Sequence, residues 1–205
     1  MSFQFHYEPA TKSTETRTLL LLHGTGGTEH DLVEIGKDLL PGAAILSPKG
    51  KVSEHGMSRW FRRFAEGVFD EDDMRHQADE LAEFLKDKGD GDGIGLGKFI
   101  ALGYSNGANM GAALMTFHPE VLEGLIMWRG MKILQEPVEP DLTGKKILMN
   151  NGIVDQMGPI ESARQQAEIF HRTGAIVTSN ELETGHGLTQ GDFSLTKAWL
   201  KSSFG

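Results

Sequence analysis

The chain of 205 residues contains no cysteine. That excludes a disulfide, a thiolate nucleophile and any metal held through sulfur. Positive charge is also scarce: 20 lysines and arginines stand against 29 aspartates and glutamates, a formal net charge of −9. So acidic a chain has little with which to neutralise phosphates, and neither nucleic acid nor an anionic membrane is expected as its main partner. No apolar run approaches the roughly 20 residues of a membrane span, and Met1 to Ala10 holds no basic segment followed by an apolar one. No membrane insertion is expected, and the expected location is the cytoplasm. Internal repeats and linkers are missing too. At this length the expectation is one domain, residues 1–205, large enough to bury a sizeable core without metals or crosslinks.

Short apolar runs alternate with amphipathic segments. Thr18 to Leu22, Ala43 to Leu46, the run from Phe99, Gly124 to Trp128, Lys146 to Asn151 and Ala175 to Glu183 read as strands. Thr28 to Leu40, Asp72 to Lys88, Ile160 to Thr173 and Gly191 to Ser202 read as helices. The second of these is the clearest, with Met74, Ala78, Leu81 and Leu85 on one stripe and Lys86 and Lys88 in its last turn. Strands alternating with helices of this length imply a parallel sheet covered on both faces. Two stretches break the rhythm. Leu134 to Thr143, with three acidic residues and two prolines, reads as a surface loop. Lys49 to Phe69 is long and irregular, carries Met57, Trp60, Phe61, Phe64 and Phe69, and follows a strand end. Ligands of open α/β sheets bind beyond such ends, so this stretch is a candidate pocket wall.

The most informative stretch is Gly103-Tyr104-Ser105-Asn106-Gly107, where a buried strand turns at once into a small-residue helix. This is the G-x-S-x-G elbow in the context that gives it meaning. A serine on so sharp a turn sits in strained backbone, and side chains two positions to either side would collide with the neighbouring strand and helix. The new helix turns its unpaired N–H groups and positive dipole end toward the site of developing negative charge. Asn106 supplies one such amide. The other is expected from the loop after the first core strand, His23-Gly24-Thr25-Gly26-Gly27, with Thr25 as the donor.

A serine hydroxyl needs a base, and the base an orienting carboxylate. With this elbow the acid and then the histidine follow the serine along the chain. His118 precedes a proline at a helix end and His171 lies in the polar part of a helix. His186, between Gly185 and Gly187 just past the last strand, is the expected base. Asp155, past the strand Lys146 to Asn151, is the expected acid. Asp141 lies in a solvated loop, and Asp192 is explained as a cap of the last helix. Ser105, Asp155 and His186 are therefore the candidate catalytic residues.

Other features carry less. The glycine loop after Leu22 lacks the lysine and spacing of a phosphate cradle. Gly89 to Gly97 hints at a calcium loop, but Lys88 and Phe99 stand where its first ligand and closing glutamate belong. His30 beside Glu29 and Asp31 lacks metal-ligand spacing. No metal site is expected. Trp60 and Phe61 read equally as pocket lining or core, and Arg129 as a group meeting a polar part of the substrate or as a surface ion pair.

Taken together, Leu22 to Gly27, Arg59-Trp60-Phe61, Gly103 to Asn109, Trp128-Arg129-Gly130-Met131, Asn151-Gly152-Ile153-Val154-Asp155 and Gly185-His186 resemble one family. It is that of the small α/β-hydrolases of the carboxylesterase/phospholipase type, relatives of acyl-protein thioesterases and dienelactone hydrolases. The pattern looks most like the bacterial branch that includes hydrolases associated with resistance to hydroquinones. The resemblance implies a three-layer α/β-hydrolase fold: a mostly parallel central sheet, helices on both faces and no large lid domain. It also implies hydrolysis of small esters or thioesters without a cofactor, with Ser105, Asp155 and His186 as the triad and Thr25 and Asn106 as oxyanion donors. Two departures stand out. The acid loop reads Asp155-Gln156-Met157-Gly158-Pro159 where relatives carry Asp-Pro, so a looser loop is expected. Without cysteine, the chemistry of dienelactone hydrolases proper is not expected. The competing reading is a binding protein that captures small hydrophobic or aromatic ligands on a hydrolase scaffold. The oligomeric state is open, a homodimer included.

Overall fold

The computed structural model describes residues 3–12, 16–91 and 99–205. Most of the glycine- and aspartate-rich stretch from Gly89 to Gly97 lies outside them. In chain order the elements are β1 (Phe5–Glu8), β2 (Thr18–Leu22), α1 (Val33–Leu39), β3 (Ala44–Pro48), β4 (Val52–Glu54), β5 (Met57–Arg59), β6 (Arg63–Ala65), β7 (Val68–Phe69) and α2 (Glu71–Gly91). Then follow β8 (Phe99–Tyr104), α3 (Asn106–Phe117), β9 (Leu122–Trp128), β10 (Lys146–Gly152), α4 (Ile160–Arg172), β11 (Ile176–Leu182) and α5 (Gln190–Phe204).

Seven strands form one sheet in the order β1-β3-β2-β8-β9-β10-β11. All neighbours are parallel except β1, which pairs antiparallel with β3 at the edge. Because side chains alternate along a strand, Leu20, Leu22, Ala101, Leu125 and Met149 pack into one core with residues of α2, α3 and α4. Leu19, Leu21, Ile100, Ile126 and Leu148 pack into a second with residues of α1 and α5. The near-continuous apolar strands thus reflect burial on both faces, as in parallel sheets generally. This is the three-layer α/β fold expected from the sequence, and among the described residues no lid domain stands over it. Among the described residues no helix is long and apolar enough to cross a membrane.

Three local differences from the sequence expectation have physical causes. The helix expected over Thr28 to Leu40 begins only at Val33. Thr28 to Asp31 form a turn in which the Thr28 side chain bonds Asp31 and accepts from the His30 amide, the local competition that short polar side chains offer to a helix. Strand β1 was not expected. It is four residues long, half exposed and on the sheet edge, so it carries little apolar signal. The irregular stretch from Lys49 to Phe69 contains two small hairpins, β4–β5 and β6–β7.

Chain order reverses across β2: the chain steps from β2 to β3 on one side and returns to β8 on the other. A crevice opens at such a point outside the carboxyl ends of the strands. The chain leaves β2 at His23, β8 at Ser105, β9 at Arg129, β10 before Asp155 and β11 before His186. Every candidate residue for chemistry therefore sits on one rim.

Candidate active site

Ser105 has φ 54° and ψ −116°, a backbone state that side chains rarely tolerate. Its neighbours hold it there. The Ser105 amide donates to the Trp128 carbonyl at 2.8 Å, and the Ser105 carbonyl accepts the Asn109 amide at 3.1 Å. A Cβ on Gly103 would strike the backbone of Gly107 and Ala108, and one on Gly107 would strike the Leu22 and His23 carbonyls. Both glycines are thus needed for close approach, one to the new helix and the other to β2.

The Ser105 hydroxyl lies 2.9 Å from His186 Nε2, and His186 Nδ1 lies 2.8 Å from Asp155 Oδ2. Because the carboxylate only accepts, Nδ1 carries the imidazole proton and Nε2 is left to accept from the serine hydroxyl. The Asp155 side chain is fully buried while that of His186 keeps a fifth of its surface open. Asp155 Oδ1 takes the Met157 and Gly158 amides at 2.9 and 3.0 Å. The loop after Asp155, for which a looser arrangement was expected, is therefore anchored by two backbone donors. Tyr104 backs the histidine: its hydroxyl donates to the His186 carbonyl at 3.1 Å.

Thr25 and Asn106 border the same cavity as Ser105 and His186. Among the described residues, neither of their amides has an acceptor in the protein, whereas the next amide, that of Gly26, is tied to Ser58 at 2.8 Å. The loop holding Thr25 is braced by His23, whose Nδ1 donates to the Gly24 carbonyl at 2.7 Å while Nε2 accepts the Gly50 amide at 3.0 Å. Those roles require a neutral ring. Burial pushes its pKa below the usual histidine value, which keeps it neutral.

Trp60 and Phe61 do not line the cavity. They are 1 % and 0 % exposed and belong to the core under α2 and α3. The pocket role considered for them is corrected: their large apolar surfaces are taken up by packing. Trp60 instead supports the site from behind. Its amide donates to Asn106 Oδ1 at 2.8 Å and its indole N–H to the His23 carbonyl at 2.9 Å. Phe64 is largely exposed.

Arg129 borders the same cavity, but it is not a surface ion pair and its guanidinium is not free for a substrate. It sits at φ 58° just past β9 with its side chain fully buried. Its five N–H groups are all spent: Nε on the Gly185 carbonyl, Nη1 on the Asn150 carbonyl and Asp192 Oδ1, and Nη2 on the Gly187 carbonyl and Asp192 Oδ2, at 2.8–3.0 Å. The guanidinium therefore cannot bind substrate. It grips the loop on both sides of His186 and ties it to α5. Asp192 completes the clamp and also accepts the Thr189 amide at 2.7 Å, the capping role expected of it.

The cavity over these residues is about 290 Å³. Met57, Phe69, Met131 and Met157 supply apolar lining, and Arg59, Arg63 and Glu66 supply charge. Among the described residues no cluster of three or more histidine, aspartate or glutamate side chains could hold a metal.

A strand–turn–helix serine with histidine and aspartate in line, on the carboxyl rim of a three-layer parallel sheet, defines the α/β-hydrolase class. Within that class the chain belongs to the phospholipase/carboxylesterase family, whose pattern matches residues 9–203. It is 36% identical over 192 residues to MhqD of Bacillus subtilis (strain 168), named as a hydrolase, covering 94% of this chain and 96% of that one. The fold is similar to a crystal structure of a Bacillus cereus carboxylesterase, with a TM-score of 0.95 at 32% identity over 98% of this chain and 95% of that one. It is also similar to YahD, solved with malic acid, with a TM-score of 0.91 at 27% identity over 98% and 99% of the two chains.

Proposed function

We propose that this protein is a serine carboxylesterase that cleaves small esters or thioesters through an acyl-enzyme on Ser105. The observation that carries the reading is the continuous hydrogen-bonded line from the Ser105 hydroxyl through both His186 nitrogens to the Asp155 carboxylate. In this mechanism Ser105 Oγ attacks the carbonyl carbon as its proton passes to His186 Nε2. Asp155 holds the ring and stabilises the imidazolium. The oxyanion is met by the Thr25 and Asn106 amides, whose freedom from protein acceptors supports that role. Collapse of the tetrahedral intermediate breaks the bond to the alcohol or thiol, which leaves with the proton from His186. Water, deprotonated by the same nitrogen, then attacks the acyl-enzyme and releases the acid and the free serine.

The modest cavity and the lack of a lid domain favour short acyl groups over lipid-length chains. The test is hydrolysis of p-nitrophenyl acetate and butyrate together with labelling by a fluorophosphonate probe. Turnover and labelling at Ser105, both lost in Ser105→Ala, are expected. An unlabelled serine with no p-nitrophenol release would leave a scaffold that only binds.

A further inference from the structure

We propose that Arg59 forms a carboxylate-binding subsite beside Ser105, so that the preferred substrates are small esters or thioesters bearing a free carboxylate. The inference rests on the esterase reading above and names the substrate class for the same site.

Arg59 ends β5 and borders the cavity that also holds Ser105 and His186, yet it is only 3% exposed. Its Nε donates to the Phe61 carbonyl at 3.3 Å and its Nη1 to Thr25 Oγ1 at 2.9 Å. No described residue accepts from Nη2. Nη2 is not among the fully buried unpartnered atoms, so it is open to a ligand in the cavity, and the charged fork of a guanidinium suits a carboxylate above other acceptors. This differs from Arg129, where every N–H is used within the protein.

The charge of Arg59 is also poorly matched. Its nearest carboxylate, Glu54, lies 3.6 Å from Nη1. That carboxylate belongs more closely to Arg63, which donates to both its oxygens from Nε at 3.1 Å and approaches it with Nη2 at 2.9 Å. Arg63 has a second acid in Glu66. Two cations thus share Glu54 and the buried one has the weaker hold. Burial, and then the neighbouring Arg63, push the Arg59 guanidinium below its usual pKa, the opposite of what a satisfied ion pair does. An incoming anion would correct this.

A second donor at the same cavity lacks a partner. Asn106 Nδ2 is buried and unpaired, while its Oδ1 is occupied by the Trp60 amide, which fixes the orientation of the amide group. Arg59 holds Thr25, and Trp60, the next residue, holds Asn106. The positive group is thereby placed against the two residues that supply the oxyanion donors. Ser105 and Arg59 border the same cavity, so the proposal has one ligand meet both.

The test compares kcat/KM for mono-p-nitrophenyl succinate with p-nitrophenyl butyrate, which differ by a terminal carboxylate in place of a methyl. A second pair, 4-acetoxybenzoate and phenyl acetate, places the charge on the alcohol side. The proposal expects the charged member of at least one pair to be favoured by about tenfold or more. It expects that ratio to collapse toward unity in Arg59→Met and to survive in part in Arg59→Lys. Taking the ratio removes any general loss from disturbing Thr25. Neutral esters equal to or better than charged ones in both pairs would overturn it, as would a ratio that persists in Arg59→Met. Calorimetry with succinate on Ser105→Ala provides a readout independent of catalysis: saturable binding that Arg59→Met removes supports the subsite, and no binding refutes it. Should Ser105 resist labelling and no ester be cleaved, the esterase reading fails while this binding result still judges the subsite.

Discussion

The clamp around His186 makes a prediction that separates stability from catalysis. In Arg129→Met the Asp192 carboxylate, fully buried and bound by two guanidinium nitrogens at 2.8 Å, is left unpaired. Breaking a buried pair in this way costs about 3–5 kcal/mol. For a domain of this size that lowers the melting temperature by about 6–20 °C. The Gly185 and Gly187 carbonyls lose their tethers in the same substitution, so the imidazole between them is held only through Tyr104 and Asp155 and can shift. Displacement of a catalytic group by about 1 Å costs on the order of 10²-fold in rate. The expected kinetic signature, measured with p-nitrophenyl acetate well below the variant's melting temperature, is a fall in kcat of that order with KM changed only a few-fold. The double variant Arg129→Met/Asp192→Leu removes the stranded charge and should recover part of the melting temperature. It should not recover kcat, because the loop tethers remain absent. A single variant with kcat within twofold of wild type, or a double variant with restored kcat, would refute the positioning role.

Other predictions follow from single contacts. Gly107→Ala drives a methyl into the Leu22 carbonyl and should cost both stability and nearly all fluorophosphonate labelling, as read by thermal melts and gel fluorescence. Asp155→Asn keeps the shape but reverses the hydrogen-bond preference at His186 Nδ1, and kcat should fall by on the order of 10⁴-fold; a loss under tenfold would contradict the ring orientation inferred here. His23 is held neutral, with its pKa below the unfolded value because of burial. The unfolded chain therefore binds the extra proton first as pH falls, and stability present above the ordinary histidine value is lost toward acid. Denaturant melts from pH 7 to pH 5 should show this decline, and His23→Gln should flatten it.

What the sequence disclosed and what it hid follow a physical pattern. Buried parallel strands and amphipathic helices write a period into the chain, so β2, β8, β10, α2 and α4 were legible within a few residues. That Ser105, Asp155 and His186 come together was legible because each follows a strand end, and a parallel sheet brings all such ends to one rim. Edge strand β1 was not, since it is short and half exposed. The polar framework was hidden for a different reason. Arg129 meets Asp192 across 63 residues and Arg59 meets Thr25 across 34; pairing over such distances leaves no local periodicity. Trp60 and Phe61 had two readings because an aromatic ring suits a core and a pocket wall equally; only their burial decided between them.

The central claim is that Ser105 becomes acylated during turnover. Acid quenching of the enzyme during hydrolysis of p-nitrophenyl acetate, followed by peptide mass spectrometry, tests it most directly. The account predicts one acetyl group on the peptide carrying Ser105 and none in Ser105→Ala. Rapid turnover with an acetyl group found on another residue, or hydrolysis that continues undiminished in Ser105→Ala, would contradict it.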